Sequence, residues 1–304
     1  MVITSLKLEE IKKVAVIGAG VMGHGIAQVC ARSGYEVVLI DVSEEVLRKA
    51  LSLIREGPFG LMRLVEKGKM SKEQVEEVML RIKTSTSYNA AGDVDYVIEA
   101  VPEDLELKKK VFKQLDEICP PRSVLASNTT SIMITEIASA VKRPDKVIGM
   151  HWFNPAPVMR LVEVVRGMLT SSETLKVTVE LAKKLGKVPI EVKDGPGFFT
   201  SRFLIAFTLE AIRLLEAGVA GVKDMDEMCK LGFGFPMGPF ELMDLVGLDV
   251  IHHAANYIYE ATKDAKYAPP LTLSKMVTAG YLGDKRVKAG SKGGWYEYWV
   301  RREA

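Results

Sequence analysis

At 304 residues the chain is too long for one ordinary hydrophobic core, so two domains are expected. Apolar residues make up 48% and charged residues 26%, the balance of a water-soluble globular protein, and a net charge of +2 gives no case for nucleic acid or an anionic membrane as a partner. No apolar run is long enough to span a bilayer. Cys30, Cys119 and Cys229 lie far apart without C-x-x-C spacing, which fits packed, reduced thiols in a cytoplasm and offers no metal site.

Residues 1–13 carry acids and lysines where an export signal would be apolar, and read as a short lead-in to the first strand. Val14-Ala15-Val16-Ile17 has strand length. Gly18, Gly20 and Gly23 follow as G-x-G-x-x-G. A helical pattern runs from about Gly25 to Arg32, Ser33-Gly34 breaks it, and a second apolar run from Glu36 to Ile40 ends at Asp41. Strand, glycine turn, helix, strand and terminal acid make a dinucleotide-binding unit of about thirty residues. Gly18 can take the turn's backbone angles, Gly20 has no side chain to hold a pyrophosphate away, and Gly23 lets the helix lie close on the strand. With Val21 and Met22 they present a helix N-terminus, whose free N–H groups and dipole favour phosphate. Asp41 can accept hydrogen bonds from an adenosine ribose. It would repel a 2′-phosphate, and no Arg follows directly, so NAD is expected over NADP. His24, in the same loop, reads as a surface or loop-packing residue.

From Ser43 to about Lys83 the spacing predicts helices, with a capping box at Ser71 and Gln74. The stretch is longer than a usual crossover and is read as a helical arm off the sheet. Its basic residues, Arg63, Lys67 and Lys69, fit a solvated helix face or a site for an anionic group such as the phosphates of coenzyme A. Asp95 to Val101 reads as a buried strand, with Glu103 just past its carboxyl end, where open parallel sheets bind ligands. The helix from Leu105 to Ile118 is amphipathic, with Lys108, Lys109 and Lys110 expected mostly outward. Strand 124–126 ends in Ser127-Asn128-Thr129-Thr130-Ser131, a polar tip expected to cap the helix near Ile134 and able to contact a ligand as well.

Strands are predicted at 147–150, 161–165 and 187–192, with a helix at 176–185, so the first part is a doubly wound α/β domain of the Rossmann type. From Asp194 the pattern is helical. The chain is therefore divided into residues 1–193, with the arm near 43–83, and an all-α domain of residues 194–304, with apolar surface to spare for a partner subunit. His151 ends one strand and Glu163 lies in the next, with a proline-rich loop between them that could fold the two strands together. A carboxylate beside an imidazole fixes its tautomer and stabilises its protonated form. Such a pair can take a hydroxyl proton as hydride leaves the same carbon; the alternative is a structural histidine with a satisfied partner. His252 and His253 read as structural.

The blocks VAVIGAGVMGHGIAQVCARSGYEVVLID, VIEAVPEDLELKKKVF, SNTTSI, GMHWFNPAPVMRLVEVV, KDGPGFFTSRFL and GFGFPMGPFELMDLVGLD resemble the 3-hydroxyacyl-CoA dehydrogenases, short-chain 3-hydroxybutyryl-CoA dehydrogenases among them. The resemblance covers about Lys13 to Tyr298. It implies NAD as cofactor, an L-3-hydroxyacyl-CoA as substrate, and a helical domain that makes a homodimer. It also implies His151 as general base, Glu163 as its orienting partner, and Glu103, Lys108 and Asn128 along the cofactor. Thr130 stands where the family usually has Ser, and Lys288 is matched to a lysine near the cofactor. Ser201 stands where the family usually has an Asn that polarises the thioester, so substrate or rate is expected to differ. Two other readings are a dehydrogenase of this family acting on a sugar acid or another free 3-hydroxy acid, and a non-catalytic NAD-binding descendant.

Overall fold

The computed structural model describes residues 6–285 and 290–300. The chain divides into two compact units, Met1–Gly195 and Pro196–Ala304. The first carries strands β1 (Lys13–Ile17), β2 (Glu36–Ile40), β3 (Ile82–Ser85), β4 (Tyr96–Glu99), β5 (Val124–Ser127), β6 (Val147–Trp152), β7 (Leu161–Arg166) and β8 (Val188–Lys193). Its helices are α1 (Gly23–Arg32), α2 (Glu44–Glu56), α3 (Leu61–Glu66), α4 (Lys72–Leu80), α5 (Leu105–Ile118), α6 (Ile134–Ala138) and α7 (Ser172–Lys184).

The strands form one sheet in the order β3-β2-β1-β4-β5-β6-β7-β8. The first six run parallel, β7 turns back antiparallel to β6, and β8 is parallel to β7. Strands of such a sheet are covered on both faces and so read as continuous apolar runs; β1, β2 and β4 do. The sequence reverses direction across the sheet at β1 and β4, and that switch opens a crevice at the strands' carboxyl ends.

The segment expected to leave the sheet as an arm packs on it instead. Leu47, Ala50, Ile54, Leu61, Val75 and Val78 join Val29, Cys30 and Val37 in one core, each large side chain contributing about 1.5–3 kcal/mol by burial. The segment then ends in β3, which the sequence pattern missed. Of Ile82-Lys83-Thr84-Ser85 only Ile82 is buried, because this is an edge strand with few apolar contacts to reveal it. The capping box formed as expected, Ser71 and Gln74 exchanging side-chain-to-backbone bonds at 2.8 and 3.2 Å.

The second unit holds α8 (Thr200–Glu216), α9 (Val222–Phe233), α10 (Pro239–Val246), α11 (Leu248–Thr262) and α12 (Leu271–Thr278). Ile205, Leu209, Ile212, Phe240, Met243, Ile251, Ile258 and Trp295 form its core. Buried Asp226 accepts from the Phe240 and Glu241 N–H groups, both at 2.9 Å, and so caps α10 in place of a side chain at Gly238. Asp244 receives the Trp295 and Tyr296 N–H groups at 2.7 and 3.2 Å, tying down the tail. A Cβ on Gly294 would lie 1.8 Å from Asp244 Oδ1, so only glycine fits this approach. Burial pushes the Asp244 carboxyl up to about 6. Its contribution to stability is therefore full below its ordinary 3.8 and is lost as pH rises through 6.

Candidate active site

The glycine loop joins β1 to α1. Gly18 has φ +93°, and a Cβ there would meet Ala100 O at 2.6 Å; a Cβ on Gly23 would meet Gly18 O at 1.7 Å. Gly20 differs, since nothing lies within 4 Å of the place its Cβ would take. Val21 is exposed and Met22 is the residue before α1. Asp41, one residue past β2, accepts the Ala19 N–H at 2.8 Å through Oδ2 and the Ser43 N–H at 3.3 Å through Oδ1. It braces the loop and still keeps lone pairs for a ribose hydroxyl. His24 Nδ1 lies 2.7 Å from Gly20 O, the loop-packing role expected of it. An open Gly20 backbone at a helix N-terminus, with a carboxylate at the tip of β2, fits the pyrophosphate and ribose of NAD. Gly20→Ala should leave the melting temperature unchanged and weaken NAD binding at least about tenfold by titration; unchanged binding would place the pyrophosphate elsewhere.

The carboxyl ends of β4 and β5 carry a buried ionic network. Glu99, the last residue of β4, accepts from Lys108 Nζ at 2.7 Å, Ser127 Oγ at 2.6 Å and the Val101 N–H at 2.7 Å. Lys108 also reaches Glu103 Oε2 at 3.5 Å. Glu103 Oε1 takes the Thr129 hydroxyl at 2.7 Å, the Thr130 and Ser131 N–H groups at 2.9 and 2.8 Å, and the Ser131 hydroxyl at 3.1 Å. Burial alone would raise the Glu103 carboxyl, but Lys108 and these donors outweigh it and hold it low.

Two expectations are corrected here. Lys108 is not outward: with Val111, Phe112 and Leu115 it lies on the buried face of α5, the positions i, i+3, i+4 and i+7. The tip 127–131 does not cap α6: its side-chain acceptors are used before the helix begins, Ser127 Oγ taking the Thr129 N–H at 3.1 Å and Thr129 Oγ1 the Ile132 N–H at 3.0 Å. Asp194 caps α6 from a distance, accepting the Ile134 and Thr135 N–H groups, each at 2.8 Å. Glu99 was missed, although an acid ending the apolar run Tyr96-Val97-Ile98 was the signal for it.

His151 and Glu163 are direct cross-strand partners on β6 and β7. His151 Nδ1 lies 2.7 Å from Glu163 Oε2, and both residues are buried. An ionised carboxylate only accepts, so Nδ1 carries the proton and the basic lone pair of the neutral ring is on Nε2. The Phe153 ring packs on the imidazole at 4.5 Å between centroids. The Trp152 N–H donates to Asn128 Oδ1 at 2.8 Å, so Asn128 holds the end of β6 against β5.

Thr130 is half-buried beside Glu103. Ser201 is buried in the first turn of α8, in the second unit. Arg63 is exposed and bonded to Glu66 at 2.8 Å, and Lys67, which ends α3, is exposed as well. Lys288 lies outside the described residues.

The model of the 3-hydroxyacyl-CoA dehydrogenase NAD-binding domain matches residues 13–195, and that of the family's C-terminal domain matches residues 197–298. A 3-hydroxybutyryl-CoA dehydrogenase of Clostridioides difficile is 46% identical over 94% of this chain and 99% of its own. A probable 3-hydroxybutyryl-CoA dehydrogenase of Bacillus subtilis is 45% identical over 95% and 98%. The crystal structure of (S)-3-hydroxybutyryl-CoA dehydrogenase from Ralstonia eutropha, 42% identical, superposes with a TM-score of 0.87 over 93% of this chain and 99% of that one. The two domain matches, which together span residues 13–298, and relatives about 45% identical over nearly the whole chain place it in the 3-hydroxyacyl-CoA dehydrogenase family.

Proposed function

We propose that the protein oxidises short-chain L-3-hydroxyacyl-CoA to 3-ketoacyl-CoA with NAD, and catalyses the reverse. The observation that carries this reading is the buried 2.7 Å pairing of His151 with Glu163 on adjacent strands. NAD, held by Gly18, Gly20, Val21, Met22, Gly23 and Asp41, supplies the hydride acceptor. His151 Nε2 takes the proton of the 3-hydroxyl, and Glu163 holds the imidazolium that results. In reduction the protonated ring returns that proton to the 3-keto oxygen. The network of Glu99, Lys108 and Glu103 fixes the 129–131 backbone, which sets the Thr130 hydroxyl for the substrate oxygen. The dyad is complete, which argues against a non-catalytic descendant.

Incubation with NAD and each enantiomer of 3-hydroxybutyryl-CoA tests the reading: the S form should yield NADH, and the R form and NADP should not. Turnover of the R form alone would overturn it.

We assign Ser201 to the substrate's thioester. Its hydroxyl offers less than an amide, and the loss of one oxyanion donor can cost about 3 kcal/mol of barrier. Ser201→Asn should keep or raise the rate on acetoacetyl-CoA; a collapse would show that Ser201 has a role of its own. Arg63 and Lys67 are assigned to coenzyme A phosphates on their charge and exposure, and Lys288 to the cofactor on the resemblance.

A homodimer is supported by apolar side chains left exposed on the helical unit, among them Phe203, Met228, Leu231 and Phe233. Sedimentation should give twice the chain mass, and Leu231→Asp should shift it towards one. A cytoplasmic location is supported by three free thiols, two of them buried. Among the described residues no helix is long and apolar enough to cross a membrane.

A further inference from the structure

Lys187 is a buried ammonium that the proton transfer at His151 does not use. It stands one residue before β8 and is only 8% exposed. Its Nζ donates to the carbonyl of Ala156 at 2.5 Å and to that of Met159 at 2.8 Å, and it lies 5.2 Å from the centroid of the Trp152 ring. The next residue, Val188, donates its N–H to Arg160 O at 2.8 Å. Three carbonyls of the irregular link between the strand of His151 and the strand of Glu163 therefore end on Lys187 and Val188. A link of this kind has no ladder to supply donors, and a buried carbonyl left without one costs about 1–3 kcal/mol.

The link is closed on its other side by α1. A Cβ on Gly25 would come 3.0 Å from Pro157 Cδ and 3.2 Å from Ala156 Cβ, so the link sits directly on the first turn of the helix that follows the glycine loop. Trp152, under the ammonium, is the neighbour of His151 on β6, and β8 pairs with β7 opposite Glu163. One side chain thus touches the strand of the base and the link, from a residue that leads directly into the strand paired with β7. Burial, then the Arg32 guanidinium, brings the ammonium down to about 8. The Cys30 thiol on α1 stays neutral, pushed up to about 12 by burial. An apolar side chain of the same length would escape that cost, but it would leave the Ala156 and Met159 carbonyls without these donors.

We propose that Lys187 is a positioning residue for the proton transfer: it seats the 153–160 link against α1 and so sets the spacing and ring orientation of His151 against Glu163. This rests on the dehydrogenase reading above. The test compares wild type, Lys187→Met and Lys187→Arg in three measurements: NADH oxidation with acetoacetyl-CoA, melting temperature, and the downfield proton resonance of His151 Nδ1, assigned by its loss in His151→Gln. For folded Lys187→Met the expected kcat is down at least about tenfold, the scale of a small misplacement of reacting groups, with the KM for NADH within about threefold. Its Nδ1 resonance should be shifted or broadened, and Lys187→Arg, which can serve both carbonyls, should recover kcat and resonance together. Lys187→Met with wild-type kcat and an unmoved resonance overturns the proposal. So does Lys187→Arg that recovers the melting temperature and neither of the other two. If Lys187→Met does not fold, Lys187→Gln is judged by the same readings. A wild type that does not oxidise NADH refutes the dehydrogenase reading alone, and the resonance still decides for or against Lys187.

Discussion

His151→Gln should lower turnover about 10²–10⁴-fold, the range of a lost general acid–base group, with NAD affinity unchanged. Gln keeps roughly the volume of the ring and can still bond to Glu163, so the fold is retained. What disappears is a side chain able to accept a proton at neutral pH and hold it beside a carboxylate. NAD affinity should not move, because the loop of Gly18, Gly20 and Gly23 and the brace at Asp41 lie on other strands. Steady-state kinetics with acetoacetyl-CoA and NADH, together with a direct NAD titration, separate the two effects. A variant with normal turnover would remove His151 from the chemistry, and a variant that loses NAD binding as well would make it a structural residue.

Lys108→Met should destabilise the nucleotide-binding unit by about 3–5 kcal/mol, the cost of breaking a buried ion pair. Glu99 and Lys108 are almost wholly enclosed, at 0% and 1% exposure, so removing the ammonium strands a carboxylate away from water. Ser127 Oγ and the Val101 N–H would remain to it, and two neutral donors do not replace an opposite charge at 2.7 Å. Glu103 would lose its positive neighbour too, loosening the 129–131 backbone. The double variant Glu99→Gln with Lys108→Met should regain much of the loss, since it buries no unpaired charge. Urea unfolding followed by circular dichroism measures both. A single variant as stable as wild type would mean that water reaches Glu99.

Much of this was legible in the chain. The glycine spacing with its flanking strands and the acid at Asp41 gave the nucleotide half, because each of those residues answers to a local backbone requirement. The helical half followed from the change of period after Asp194. The register of β6 and β7 was only half legible: the proline-rich link allowed a reversal, but nothing in the spacing put residue 151 opposite 163 rather than a neighbour. What stayed hidden depends on contacts distant in the chain. Lys108 looked like one of three outward lysines, and only the burial of Val111, Phe112 and Leu115 on the same face shows where it points. Asp194 caps a helix some sixty positions earlier, β3 is an edge strand with one buried side chain, and Lys187 acts through two carbonyls of a link that it does not adjoin. Such long-range partners leave no mark in local periodicity.

The most direct measurement is the rate of NADH oxidation with acetoacetyl-CoA set beside that with free acetoacetate at the same concentrations. A dehydrogenase of acyl-CoA esters turns over the first with saturation and leaves the second almost untouched. Equal or faster turnover of the free acid, or none of the ester, would contradict the assignment.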